Sequence, residues 1–175
     1  MTAENRVGIL AAVTNAMGEL GAELLECSQT VVSGYFTMIF AAQFPDDREQ
    51  QVIQDHLTDV CRPFGIESTM SPVKAMETDE PATEVSLKRL QLCGENVPGI
   101  LRKIAVKMSL SQIDIIGVHA WKNTDGKFEA VMKIAVPVNV VHDDLPAQLQ
   151  AIDPSWTLAA KLDDYQAGSM FTDER

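Results

Sequence analysis

A chain of 175 residues, 46% of them hydrophobic, has material for a packed core and fits one ordinary domain or two small ones. Fourteen basic against 25 acidic residues give a formal net charge of −11, which repels nucleic acid and anionic membrane surfaces and argues against direct DNA binding. Cys27, Cys61 and Cys93 lack metal-ligand spacing, and neither an apolar leader nor a membrane-length apolar run is present, so the residues imply free thiols, no metal and no cofactor in a cytoplasmic protein.

The chain opens with Glu4-Asn5-Arg6-Val7-Gly8-Ile9-Leu10. Glu95-Asn96-Val97-Pro98-Gly99-Ile100-Leu101 repeats its Glu, Asn, Gly, Ile and Leu at a constant offset of 91 positions (95 − 4). In each copy a capping residue and a glycine lead into an apolar-periodic segment, the signature of a helix N-terminus with Asn as its cap. Such a terminus carries partial positive charge and free N–H donors, which suit a carboxylate or phosphate.

After Gly8, the spacing of Ile9, Val13, Ala16, Met17 and Leu20 predicts a helix that Gly21 stops. Strands follow at 23–32 and 35–44, joined in a hairpin by Ser33-Gly34. Pro45-Asp46-Asp47 reads as a helix start, with Ile53, Leu57, Val60, Cys61 and Phe64 inward. Gly65 ends that helix, and 66–73 reads as a strand. Residues 74–84 are polar and aperiodic, a linker.

The second half begins with a strand at 85–93, followed by a helix with Ile100, Ile104, Ala105 and Met108 inward. Strands at 113–122 and 127–136 flank the turn Asn123-Thr124-Asp125-Gly126. Asp143 or Asp144 caps a short helix bearing Leu145, Leu149 and Ile152, and 156–162 is a last strand before a polar tail at 163–175. Cys27 and Cys93 fall on strands and read as small core residues. The expected organisation is a first domain at 1–73, the linker, a second domain at 85–162 and the tail. Each domain is α+β, a ferredoxin-like βαββαβ unit with an antiparallel sheet and both helices on one face. The first is short of its opening strand, because only Met1 to Glu4 precede Asn5.

The stretches Asn5-Arg6-Val7-Gly8-Ile9-Leu10, Glu19-Leu20-Gly21-Ala22-Glu23-Leu24-Leu25 and Asn96-Val97-Pro98-Gly99-Ile100-Leu101 resemble the turn and the helix-to-strand junction of tandem ACT-domain proteins. Among those without a catalytic domain, the chain is most similar to the glycine cleavage system transcriptional repressor group. The resemblance implies a small-molecule sensor, usually for an amino acid, with a ligand site between the turn of one domain and the junction of the same or a neighbouring domain. By position the turns supply Asn5, Arg6, Gly8 and Ile9, and Asn96, Gly99 and Ile100. The junctions supply Glu23 with Leu24, and Asp114 with Ile115. The family often has Asn where this chain has Glu23 and Asp114. An ionised carboxylate only accepts hydrogen bonds, so it suits a ligand ammonium and repels a ligand carboxylate.

The expected function is therefore a non-enzymatic regulator that binds an effector at a domain or subunit interface. It would act through a protein partner and form a homodimer. Two rivals stand beside it: an interaction module that has kept the fold and lost the ligand, and a small enzyme using Arg6 on a phosphate or acyl phosphate. No paired acid and base supports the second.

Overall fold

The computed structural model describes residues 1–73, 84–138, 144–152 and 157–165. The linker expected at 74–84 lies outside them but for Glu84, as do Asp143, Trp156 and the tail beyond Tyr165. The chain divides into two compact units, Met1–Glu77 and Thr78–Arg175. Among the described residues no helix is long and apolar enough to cross a membrane.

In the first unit, strand β1 (Thr2–Glu4) leads to helix α1 (Ile9–Glu19), strands β2 (Glu23–Val32) and β3 (Tyr35–Gln43), and helix α2 (Gln50–Cys61). The sheet order is β1-β3-β2, all antiparallel. Ile9, Val13, Ala16, Met17 and Leu20 of the predicted helix face are all buried, against Phe36 and Met38 of β3 and Ile53, Leu57 and Cys61 of α2. Gly21, at φ 72°, ends α1 by placing Ala22 N–H on the Met17 carbonyl at 2.9 Å, and Ser33 and Gly34 are both left-handed, as a two-residue hairpin turn requires.

Three readings need correction here. Helix α2 begins at Gln50, not at Pro45, because Arg48 N–H closes a turn on the Pro45 carbonyl at 3.0 Å before the helix starts. The strand expected at 66–73 shrinks to one bridge, Thr2 with Glu67, because the three residues of β1 offer it no longer partner. Cys27 is exposed rather than in the core: it stands opposite Phe40, and β2 is exposed along its whole length.

The second unit runs β4 (Val85–Gly94), α3 (Ile100–Leu110), β5 (Asp114–Lys122), β6 (Phe128–Pro137), α4 (Leu145–Gln150) and β7 (Leu158–Asp164). Its four antiparallel strands lie in the order β5-β6-β4-β7, the split βαβ arrangement with the opening strand inside the sheet. One face of the sheet, including Leu90, Leu92, Ala130, Met132 and Ile134, packs on Ile100, Ile104 and Met108 of α3 and Leu145 and Leu149 of α4. Asp144 caps α4, its carboxylate accepting from Ala147 N–H at 3.2 Å. Ala105 is exposed, not inward, since the covered stripe of α3 is the narrower one through Ile100, Ile104 and Met108. Strand β7 takes in Asp163 and Asp164, which sequence assigns to the tail, and Cys93 is exposed on the sheet face away from the helices.

Candidate functional site

Both turns lead into helices whose N-cap is the glycine: Gly8 at φ 98° and Gly99 at φ 81°. This corrects the expected caps, because neither Asn5 nor Asn96 bonds to the helix start, and no side chain caps α1 or α3. The Gly8 carbonyl accepts from Ala12 N–H and the Gly99 carbonyl from Lys103 N–H, so each helix is fully engaged one turn in. Ahead of that point the first-turn N–H groups lack intrahelical partners at the positive end of an eleven-residue helix, except that the Val97 carbonyl takes Ile100 N–H. The left-handed conformation is the reason for glycine here, since any side chain would strain it.

The turns are tied down at their edges. Asn5 N–H donates to the Gly34 carbonyl at 2.8 Å, which fixes the first turn to the β2–β3 hairpin. Glu95 N–H reaches Thr157 O at 3.3 Å beside β7, and Ile100 N–H closes on the Val97 carbonyl at 3.3 Å. Arg6 is exposed, its guanidinium 3.8 Å from the Glu4 carboxylate. Asn96 is exposed as well, whereas the Ile9 and Ile100 side chains are buried in the two cores. What Ile9 and Ile100 present outward is backbone.

The junction residues stand at the other end of each helix. Glu23 and Asp114 are exposed at the first positions of β2 and β5; Leu24 is half exposed and Ile115 partly buried. A bulge follows in both strands, between Leu24 and Glu26 and between Ile115 and Gly117, so Leu25 and Ile116 are the extra residues at the same offset of 91 (116 − 25). Sequence reasoning missed this feature. Its signal is the doubled apolar pair after an acid, Glu23-Leu24-Leu25 and Asp114-Ile115-Ile116, which breaks strict alternation. An open depression of about 370 Å³ lies beside the second junction, lined by Ala105, Ser109, Gln112, Asp114 and Ile115 among others. Gln112 there adopts φ 55°, in the position that Gly21 holds in the first unit.

Turn and junction do not meet within one unit. Eleven helical residues at 1.5 Å each separate them by roughly 16 Å. The depression contains Asp114 and Ile115 but none of Asn96, Gly99 and Ile100. The two halves also differ in charge. The turn offers N–H donors at a positive helix end, and the junction offers a carboxylate at a negative helix end.

No family model matches the chain. It is 38% identical over 61 residues to a UPF0237 protein of Corynebacterium diphtheriae, a match covering 34% of this chain and 68% of that relative. A UPF0237 protein of Methanosarcina acetivorans is 34% identical over 55 residues, covering 31% of this chain and 60% of the relative. Among solved structures, a Galdieria sulphuraria protein of unknown function superposes with a TM-score of 0.72 at 15% identity, covering 94% of this chain and 95% of its own. A glycine cleavage system transcriptional repressor superposes with a TM-score of 0.62 at 11% identity, covering 94% of each. At these identities the likeness shows the fold, that of a tandem ACT-domain protein.

Proposed function

The chain belongs to the UPF0237 family, and on that footing we propose that it is a non-enzymatic regulatory protein that binds a small effector, an amino acid, and acts through a protein partner. The observation that carries this reading is the duplication: two helix starts with left-handed glycine caps, uncapped by side chains, each paired with an acidic, bulged junction. The α-carboxylate of an effector suits the helix-start donors around Gly99, where the Val97 and Ile100 N–H groups are already engaged, or around Gly8, where Asn5 N–H is. Its ammonium suits Asp114 or Glu23. These two ends of an amino acid sit on one carbon, whereas turn and junction of one unit are roughly 16 Å apart. One amino acid therefore does not span the turn and the junction of a single unit, and we propose that a homodimer completes its binding. The net charge of −11 directs any effect on transcription through a protein partner in the cytoplasm.

Thermal denaturation of the full chain against the twenty amino acids tests the reading. A native-state ligand at 100 times its dissociation constant adds about 2.7 kcal/mol and a plain rise in Tm. The rise should grow with the logarithm of concentration above the dissociation constant for one or a few amino acids and vanish in Asn96→Ala and Gly99→Val. The carboxylates at Glu23 and Asp114 favour one alternative, a protein-interaction module without a ligand. That alternative predicts no such rise for any amino acid.

A further inference from the structure

The sheet of the second unit has a face turned away from α3 and α4, and two basic residues stand opposite each other on its central strands. Arg89 of β4 stands directly opposite Lys133 of β6 in the antiparallel register. Directly opposed residues lie about 5 Å apart at Cβ, and like charges so placed repel. On the other side of Arg89 the register brings Asp163 of β7, but Lys161 Nζ already lies 2.9 Å from its Oδ2. Among the described residues the Arg89 guanidinium makes no hydrogen bond or ion pair, and its Nε is buried without a partner. The Lys133 ammonium lies 4.4 Å from the centre of the Tyr165 ring, and among the described residues it pairs with no carboxylate. In a chain with 25 acidic and 14 basic residues, an unneutralised Arg–Lys pair calls for an explanation.

Next to this pair the sheet face dips into a depression of about 260 Å³, lined by Gln91, Cys93, Trp121, Val131 and Lys161 among others. Glu129, one row beyond, also borders it, and its carboxylate accepts from Asn123 Nδ2 at 2.6 Å. The dip is small and apolar at its floor, amide- and ammonium-bearing at its Arg89 side, and aromatic at its β5 side. We propose that this face binds a small organic oxyanion, a phosphate monoester or a carboxylate. The Arg89 fork donates to two of its oxygens, Lys133 neutralises it from the opposite strand, and the body of the ligand lies in the depression. A planar guanidinium and an oxyanion match in geometry, and the oxyanion removes the repulsion between the two cations. This site lies on the sheet face, apart from the turns and junctions at the helix ends, and does not depend on what they bind.

The test is a titration of the full chain at constant ionic strength with inorganic phosphate and, separately, with citrate, using chloride as the control. The Arg89 Nε–H resonance is read by NMR, with thermal melts to check that each variant folds. One of the two anions should shift that resonance saturably while chloride does not. Lys133→Gln should weaken the binding about tenfold or more, and Arg89→Lys, which keeps the charge and loses the fork, should weaken it less than Arg89→Gln. For the Arg89 variants the reading moves to the amides of Gln91 and Lys133. Preference for phosphate identifies a phosphate monoester, and preference for citrate a carboxylate. The proposal is overturned when neither anion gives a saturable shift, or when the shifts survive both Arg89→Gln and Lys133→Gln. An amino-acid response in the same samples would be read at Gly99 and Asp114, so the two sites succeed or fail separately.

Discussion

Gly94 ends β4 where that strand is pinned between β6 and β7. A methyl group there has no room: an ideal Cβ would sit 2.4 Å from Thr157 O and 3.1 Å from Leu158 Cα. Real Cβ atoms keep at least 3.0 Å, so one strand must move by 0.6 Å or more (3.0 − 2.4), and both of these neighbours are backbone rather than a flexible side-chain tip. That movement strains the Gly94–Leu158 pairing and the 3.3 Å bond from Glu95 N–H to Thr157 O. Overpacking costs about 1–3 kcal/mol and a lost hydrogen bond about 0.5–1.5, so Gly94→Ala should destabilise by roughly 2–4 kcal/mol. For a unit of this size that lowers Tm by about 10–25 °C. Gly18→Ala is the matched control. Gly18 lies within α1 with nothing within 4 Å of its added Cβ, so alanine should stabilise by about 0.5–1 kcal/mol. Scanning calorimetry of the two variants reads both signs. A Gly94→Ala protein that melts within about 2 °C of the parent would refute the β4–β7 register drawn here.

Neighbouring positions on α3 should separate just as clearly. Ile104 is fully buried, so Ile104→Ala should cost about 2–5 kcal/mol in urea denaturation, whereas Ala105→Ser on the exposed side should stay within about 0.5 kcal/mol. Burial pushes the Cys61 thiol above its ordinary pKa, the N-terminal ammonium opposing this more weakly, while Cys27 and Cys93 are exposed. A thiol reagent near neutral pH should therefore titrate two thiols quickly and the third only on unfolding; three equal rates would contradict the packing of α2. A hydrogen bond from Lys88, reinforced by its charge, holds the exposed Asp164 carboxyl below the usual carboxylate range. A depressed pKa contributes stability that is present above the ordinary carboxylate pKa and is lost as pH falls through the lowered value. In Lys88→Met the Asp164 titration followed by NMR should move upward; an unmoved titration would show that the pair does not form in solution.

What sequence conveys well is periodicity. Ile9, Val13, Ala16, Met17 and Leu20 repeat at helical spacing and are all buried, because one apolar stripe has only one sheet to cover. The repeat at offset 91 likewise announces the two-unit α+β architecture, since similar turns lead into helices of equal length. Local chemistry was less legible. Asn5 and Asn96 look like caps, yet the glycine three residues on adopts the left-handed conformation and becomes the cap itself. Pro45-Asp46-Asp47 has the composition of a first helical turn, but composition does not distinguish a turn before the helix from the helix itself. The Arg89–Lys133 pair was invisible, because the two residues are 44 positions apart (133 − 89) and only the strand register sets them face to face. Exposure of Cys27 and the shortening of 66–73 to one bridge are both consequences of tertiary context: an edge strand without cover, and a three-residue partner.

The most direct test of the regulatory reading is an amide NMR titration of the full chain with each of the twenty amino acids. The account predicts that one or a few of them shift the amides of Gly8 to Leu10 or Gly99 to Leu101 together with Glu23 or Asp114, saturably and with a common dissociation constant. Absence of any saturable shift at millimolar concentrations, or shifts confined to other surfaces, would contradict it.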